Sequence, residues 1–135
     1  LQDSHVALLP AGGCLGVQEW VESERFISLG LPTYIFLDSD RESVEQAATG
    51  NETFVAELTS PLIAGSFVTR KRAIENYIKQ EHVGIEYGDF DNAKTAIQKV
   101  CEVPLSQLIS HYWGMATIDD IDEEIKDIIR QIVAK

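Results

Sequence analysis

Apolar residues along this chain come in short blocks separated by glycines and acids, and the period of each block predicts an element. "HVALLP" (5–10) is a brief apolar run stopped by proline, the pattern of a buried strand. The glycines of "AGGCLG" then predict a turn. Over 17–29 the apolar positions Val17, Trp20, Val21, Phe26 and Ile27 follow helical spacing, with Gly30 as the expected C-cap before Pro32. "TYIFLD" (33–38) is a second strand, continuously apolar as expected when both faces are covered by helices. Strand, helix and strand in this order read as a right-handed crossover in a parallel sheet. Ligands of such sheets bind beyond the carboxyl ends of the strands, where both "AGG" and "DSD" would fall.

The second half is patterned for helices. One is expected over 42–48, ending near Gly50, and a weak strand or turn over 54–58. Another helix is expected over 71–80, with Ile74, Tyr77 and Ile78 as its apolar stripe. From Asn92 a helix follows with Asp91 as candidate N-cap, and "PLSQLISHYWG" predicts a short helix stopped by Gly114. The clearest pattern is the last. Ile118, Ile121, Ile125, Ile128, Ile129 and Ile132 form one stripe, with acids in the first turns and Lys135 at the end, matching the helix dipole. The chain contains no internal repeat or linker, so one domain spanning 1–135 is expected.

Composition narrows the function classes. With 44% hydrophobic and 24% charged residues among 135, the chain belongs with globular domains rather than disordered ones. No apolar run reaches the ~20 residues of a membrane span and no signal-peptide pattern is present, so a cytoplasmic protein without membrane association is the expectation. Cys14 and Cys101 lack metal-ligand or disulfide-framework spacing and read as buried free thiols. A formal net charge of −11 repels phosphate backbones, so any nucleic-acid role needs bridging cations or basic surface from elsewhere.

Asp38 and Asp40 flank Ser39 at the end of the second strand. If the extended geometry persists to residue 40, both carboxylates face one side and can share a hard cation such as Mg²⁺, with waters completing its shell. Equally, Asp40 or Ser39 could cap the helix expected next, and Asp38 could simply end the strand. Glu75 is a candidate third acidic ligand, and Lys71 or Arg72 could neutralise charge on a phosphoryl transition state. Read alone, that stretch is more simply an exposed helix face with Arg72 and Glu75 as an i,i+3 pair. Gly12 and Gly13 could admit a phosphate to backbone amides or only permit a tight turn, since no Walker A or GxGxxG pattern surrounds them. His5, His82 and His111 are scattered and read as structural. Asp119, Asp120, Asp122, Glu123 and Glu124 read as a solvated first helix turn, because EF-hand spacing is absent.

In combination and order, "LLPAGGCLGVQEW", "GLPTYIFLDSDRE" and "KRAIENYI" resemble the Toprim domain of OLD-family (overcoming lysogenisation defect) ATP-dependent endonucleases. The resemblance covers 5–80, and 90–135 is a helical tail. It implies a Toprim-like Rossmannoid three-layer α/β fold with a small, mainly parallel sheet. Asp38 and Asp40 would match the family's D-x-D, and Glu75 the acid of its "ENY" motif, together holding Mg²⁺ or Mn²⁺ for phosphodiester cleavage. Lys71 or Arg72 would assist the charged transition state, and Gly12 and Gly13 would form the cofactor-side turn. The family's essential glutamate lies on a strand before the glycine turn, and this chain begins too late to include it. A C-terminal fragment of a longer protein is therefore expected, weak or inactive in isolation. DNA would be met through the intact parent, whose ATPase domain precedes this region, and homodimerisation is left open.

Two other readings compete. One is a non-catalytic Toprim-like or receiver-like α/β module used for protein association. The other is a haloacid-dehalogenase-like phosphatase with Asp38 as nucleophile, for which "DSDRESV" is a poor match.

Overall fold

β-Branched and aromatic side chains favour a pleated surface, and "TYIFL" forms a strand, β1 (Thr33–Leu37), in the computed structural model. The structure describes residues 7, 9–23, 30–100 and 117–134. The sheet pairs β1 in parallel with β2 (Ile63–Val68), setting Ile35 opposite Ser66 and Leu37 opposite Val68. Helix α2 (Gly50–Glu57) connects them, so the described fold is mixed α/β with a two-stranded parallel sheet. A parallel pair needs such a crossover, because a tight hairpin cannot return the chain to the same end. This crossover lies one unit later than the pattern suggests. Residues 5, 6 and 8 of the 5–10 run fall outside the described residues and 7, 9 and 10 lie in no strand, whereas β2 was not expected as a strand.

Before β1, the glycine turn is present, with φ of 81° at Gly12 and 90° at Gly13, and leads into α1 (Cys14–Glu22). The remainder of the expected 17–29 helix lies outside the described residues. Cys14 is half-buried rather than fully buried, its sulfur accepting from Gln18 Nε2 at 3.6 Å. Cys101, His5, His111 and the expected "PLSQLISHYWG" helix also lie outside the described residues.

The helix expected over 42–48 does not form. Arg41 Nη1 donates to the carbonyls of Val44 at 3.3 Å and Gln46 at 2.9 Å, engaging oxygens a helix would use internally. Helix formation starts instead after Thr49, where a capping box joins Thr49 and Glu52, and Arg41 Nε fixes Glu52 at 2.6 Å. Phe54 and Glu57, expected in a weak strand or turn, consequently lie inside α2, with Leu58 as its C-cap.

Residues 71–80 are not one helix either. A 3₁₀ turn, Ile74–Tyr77, is followed by the short α3 (Gln80–Val83). Glu75, Asn76, Tyr77 and Ile78 are all buried, and four consecutive buried positions are incompatible with an amphipathic helix face. Asn76 explains the break. Its amide donates to the carbonyls of Gly88 at 2.9 Å and Asp91 at 3.0 Å while its oxygen accepts from Ala73 N, so its buried polar atoms bond across the chain.

α4 (Ala93–Val100) begins as expected, but its first turn is capped by Asn92, whose Oδ1 accepts from Thr95 N, while Asp91 Oδ2 accepts from Gly88 N. Ala93 and Ile97 pack with Ile78 and Tyr87 in a core cluster flanked by Val83 and Ile85. The final helix, α5 (Glu123–Val133), takes up only the later part of the isoleucine stripe, burying Ile125 and Ile128, with Asp122 as its N-cap; Ile118 lies exposed in a separate 3₁₀ turn (Ile118–Asp120) that Ile121 ends.

The sheet is not covered on both sides as its apolar run suggested. Ile35 and Leu37 are buried, whereas Phe36 is 39% exposed. Tyr34 stacks on Phe67, and Gly65 makes room for it: a Cβ there would come within 3.1 Å of the Tyr34 ring. Among the described residues no helix is long and apolar enough to cross a membrane.

Candidate acidic site at the carboxyl ends of the strands

Beyond their carboxyl ends the two strands stay joined through polar atoms. Leu37 O accepts from Thr69 N at 3.0 Å, and Ser39 N donates to Thr69 Oγ1 at 2.8 Å. Ser39 Oγ and Thr69 Oγ1 both donate to Lys71 O, at 2.8 and 2.7 Å. Both hydroxyls are buried and satisfied, which makes this junction rigid. Asp40 N then donates to Arg72 O at 2.8 Å, and the backbone of Asp40 turns left-handed, with φ of 57°.

That turn changes the expected geometry of the acidic pair. Side chains two apart share a side only while the strand remains extended, and the left-handed residue ends the extended run at Asp40. The helix-cap alternative fails as well, because no helix begins at Arg41. Asp38 and Asp40 are held by other groups. Asp38 Oδ1 accepts from Ile74 N at 2.8 Å, and Asn51 Nδ2, in the first turn of α2, donates to Asp38 O and Asp40 Oδ2, each at 2.8 Å. Thr49 Oγ1 donates to Ser39 O at 2.5 Å.

The bond from Ile74 to Asp38 brings the following residue, Glu75, to the same place. Glu75 is 7% exposed, and its charge acts on Asp38. The Asp38 carboxyl is pushed from 3.8 to about 6, first by burial and then by the charges of Glu75 and Asp40. The Ile74 amide and the Lys94 ammonium oppose the rise without cancelling it. Two of the acids predicted from sequence thus act on the third, Asp38.

A divalent cation suits this balance. Carboxylate oxygens are hard donors, and positive charge would relieve the repulsion that raises Asp38. Among the described residues no group of three or more His, Cys, Asp or Glu side chains is arranged to hold a metal ion. Mg²⁺ commonly takes one or two carboxylates and keeps several waters, so Asp38 with one neighbour meets its requirements without a ready-made cage.

Basic candidates are placed differently. Lys71 Nζ lies 3.2 Å from Asp89 and 3.8 Å from Asp122, donates to Asn76 O, and sits over the Tyr77 ring. Arg72 pairs with Glu42 at 3.0 Å rather than with Glu75. Among the described residues no hydrogen bond or ion pair joins Gly12 or Gly13 to these acids.

Sequence reasoning missed Thr49, Asn51 and Lys94. A capping box is legible in "TGNE", and could have signalled a helix start at Thr49. Nothing local marks Asn51 or Lys94, because each reaches the acids only through the fold. The chain matches no protein-family model, no curated protein and no solved structure.

Proposed function

We propose that this chain carries the acidic catalytic region of a metal-dependent DNA endonuclease of Toprim type, using Mg²⁺ or Mn²⁺ to hydrolyse phosphodiesters. The observation that supports this reading is the convergence of Asp38, Asp40 and Glu75 beyond the carboxyl end of a parallel strand pair, with Asp38 raised to about 6 by burial and by its two acidic neighbours. A bound cation would supply Lewis-acid polarisation of the phosphate and lower the pKa of a water. Asp38 together with Asp40 or Glu75 would hold it, with waters completing its shell; Asn51 orients Asp40, and the Ile74 amide orients Asp38. Basic surface for DNA, and the coupled ATPase, belong to the parent protein in this reading.

Calorimetric titration with Mg²⁺ and Mn²⁺ tests it. The native chain is expected to bind, and Asp38→Asn to weaken binding at least tenfold. Equal binding by both proteins would remove the site.

A second reading has an observation of its own. Asp38 and Asp40 each already use one carboxylate oxygen in a hydrogen bond that ties loops together. That suits a non-catalytic module in which the acids are structural and the domain serves protein association. It predicts no cation response and a concentration-dependent increase in mass by sedimentation.

A further inference from the structure

Tyr77 closes the Ile74–Tyr77 turn, and its hydroxyl joins segments remote in sequence. It donates to Glu124 Oε2 at 2.5 Å and accepts from Lys71 N at 3.1 Å. The same carboxylate accepts from Arg70 N at 2.8 Å and from Arg70 Nε at 2.9 Å. Tyr77 is 6% exposed and the Glu124 side chain 10%. A charge-assisted bond in such surroundings is strong and directional.

The first turn of α5 therefore grips 70–77 at both ends. Between those ends lie the Ile74 amide, which holds Asp38, and Glu75, which stands beside it. We propose that Glu124 and Tyr77 are positioning residues of the acidic site: the C-terminal helix holds the Ile74–Tyr77 turn against Asp38. Asn76 ties the middle of the turn to Gly88 and Asp91, and Glu124 fixes the two ends of 70–77 at Arg70 and Tyr77. The consequence for cation binding rests on the function proposed above, whereas the positioning itself does not.

A second link of the same C-terminal segment supplies the control. Asp120 pairs with Lys79 at 2.8 Å, docking residues 117–120 beside α3 without bonding to 70–77. A merely structural role would give Asp120→Asn, Tyr77→Phe and Glu124→Gln the same local signature.

The test is amide hydrogen exchange by NMR, read at Ile74 and at Ile97 as reporter of global opening, with Mn²⁺ titration alongside. Tyr77→Phe and Glu124→Gln are each expected to speed Ile74 exchange about tenfold more than Ile97 exchange and to weaken Mn²⁺ binding about tenfold. Asp120→Asn should do neither. Ile74 exchange that only tracks Ile97 in both variants overturns the positioning role, and the cation site stands if Mn²⁺ still binds. Selective acceleration at Ile74 in a chain that binds no Mn²⁺ supports the positioning role and overturns the cation reading.

Discussion

Two acidic clusters of this protein have similar composition and opposite electrostatics. Around Asp38 the neighbours are Glu75 and Asp40, burial is substantial, and the carboxyl rises to about 6. Around Asp120 the neighbours are Lys79 and the amide and hydroxyl of Thr117, and these hydrogen bonds hold its carboxyl well below the ordinary range. The acidic run 119–124 was expected to be a solvated helix start. Instead Asp120 binds Lys79, Asp122 caps α5, and Glu124 clamps Arg70 and Tyr77. Asp120, Asp122 and Glu124 each have a partner, whereas burial and the charges of its neighbours oppose the ionised form of Asp38.

The largest expected effect comes from removing the charge at Asp38. Because its folded pKa exceeds the unfolded 3.8, the folded state binds the extra proton between about pH 4 and 6, so stability falls as pH rises through that window. Asp38→Asn abolishes this penalty and is expected to gain up to about 3 kcal/mol at pH 7, with no gain below pH 4. Urea denaturation across pH measures the difference, and a pH-independent effect would contradict the raised Asp38.

Next in size is Glu124→Ala. Stripping the partner from a buried Tyr77 hydroxyl and from the Arg70 amide is expected to cost about 2 kcal/mol, again by urea denaturation. A loss within experimental error would return Glu124 to the solvated helix start that the sequence suggests.

Lys71→Ala comes third and decides which cluster that lysine serves. With its ammonium at Asp89, Asp122 and the Tyr77 ring, the expected loss is about 1 kcal/mol of stability with unchanged Mn²⁺ affinity. A fall in cation affinity or in DNA cleavage without loss of stability would assign it to the acidic site instead.

The smallest effect belongs to Asp120→Asn. A depressed pKa stabilises above the unfolded value and ceases to do so as pH falls through the folded one. The variant should therefore be slightly less stable than the native chain at pH 7, and the difference should vanish in acid. The slope against pH is thus opposite to that of Asp38→Asn, which makes the pair a direct reading of the contrast.

Much of the framework follows from local pattern. β1 was legible because β-branched and aromatic residues fit a strand, α5 because its isoleucines repeat at helical spacing, and the turn at Gly12 and Gly13 because both need positive φ. The three acids were also legible as candidates, from residue type and from the position of Asp38 after a strand. Patterns that two distant segments satisfy jointly were not. Residues 71–80 have helical apolar spacing, yet the Ile74 amide is claimed by Asp38 and the Asn76 side chain by Gly88 and Asp91. Residues 42–48 likewise lose helical bonding to Arg41.

By itself, then, the sequence determined where the chain is stiff and apolar, where it must turn and where its negative charge lies. Each of those depends on side-chain volume, backbone freedom or charge within a few residues. Only the tertiary structure decided that Glu75 stands beside Asp38, that Asp40 leaves the strand direction and that Glu124 grips the turn between them. Those outcomes depend on which buried donors and acceptors find partners, and the partners of these residues lie in other parts of the chain.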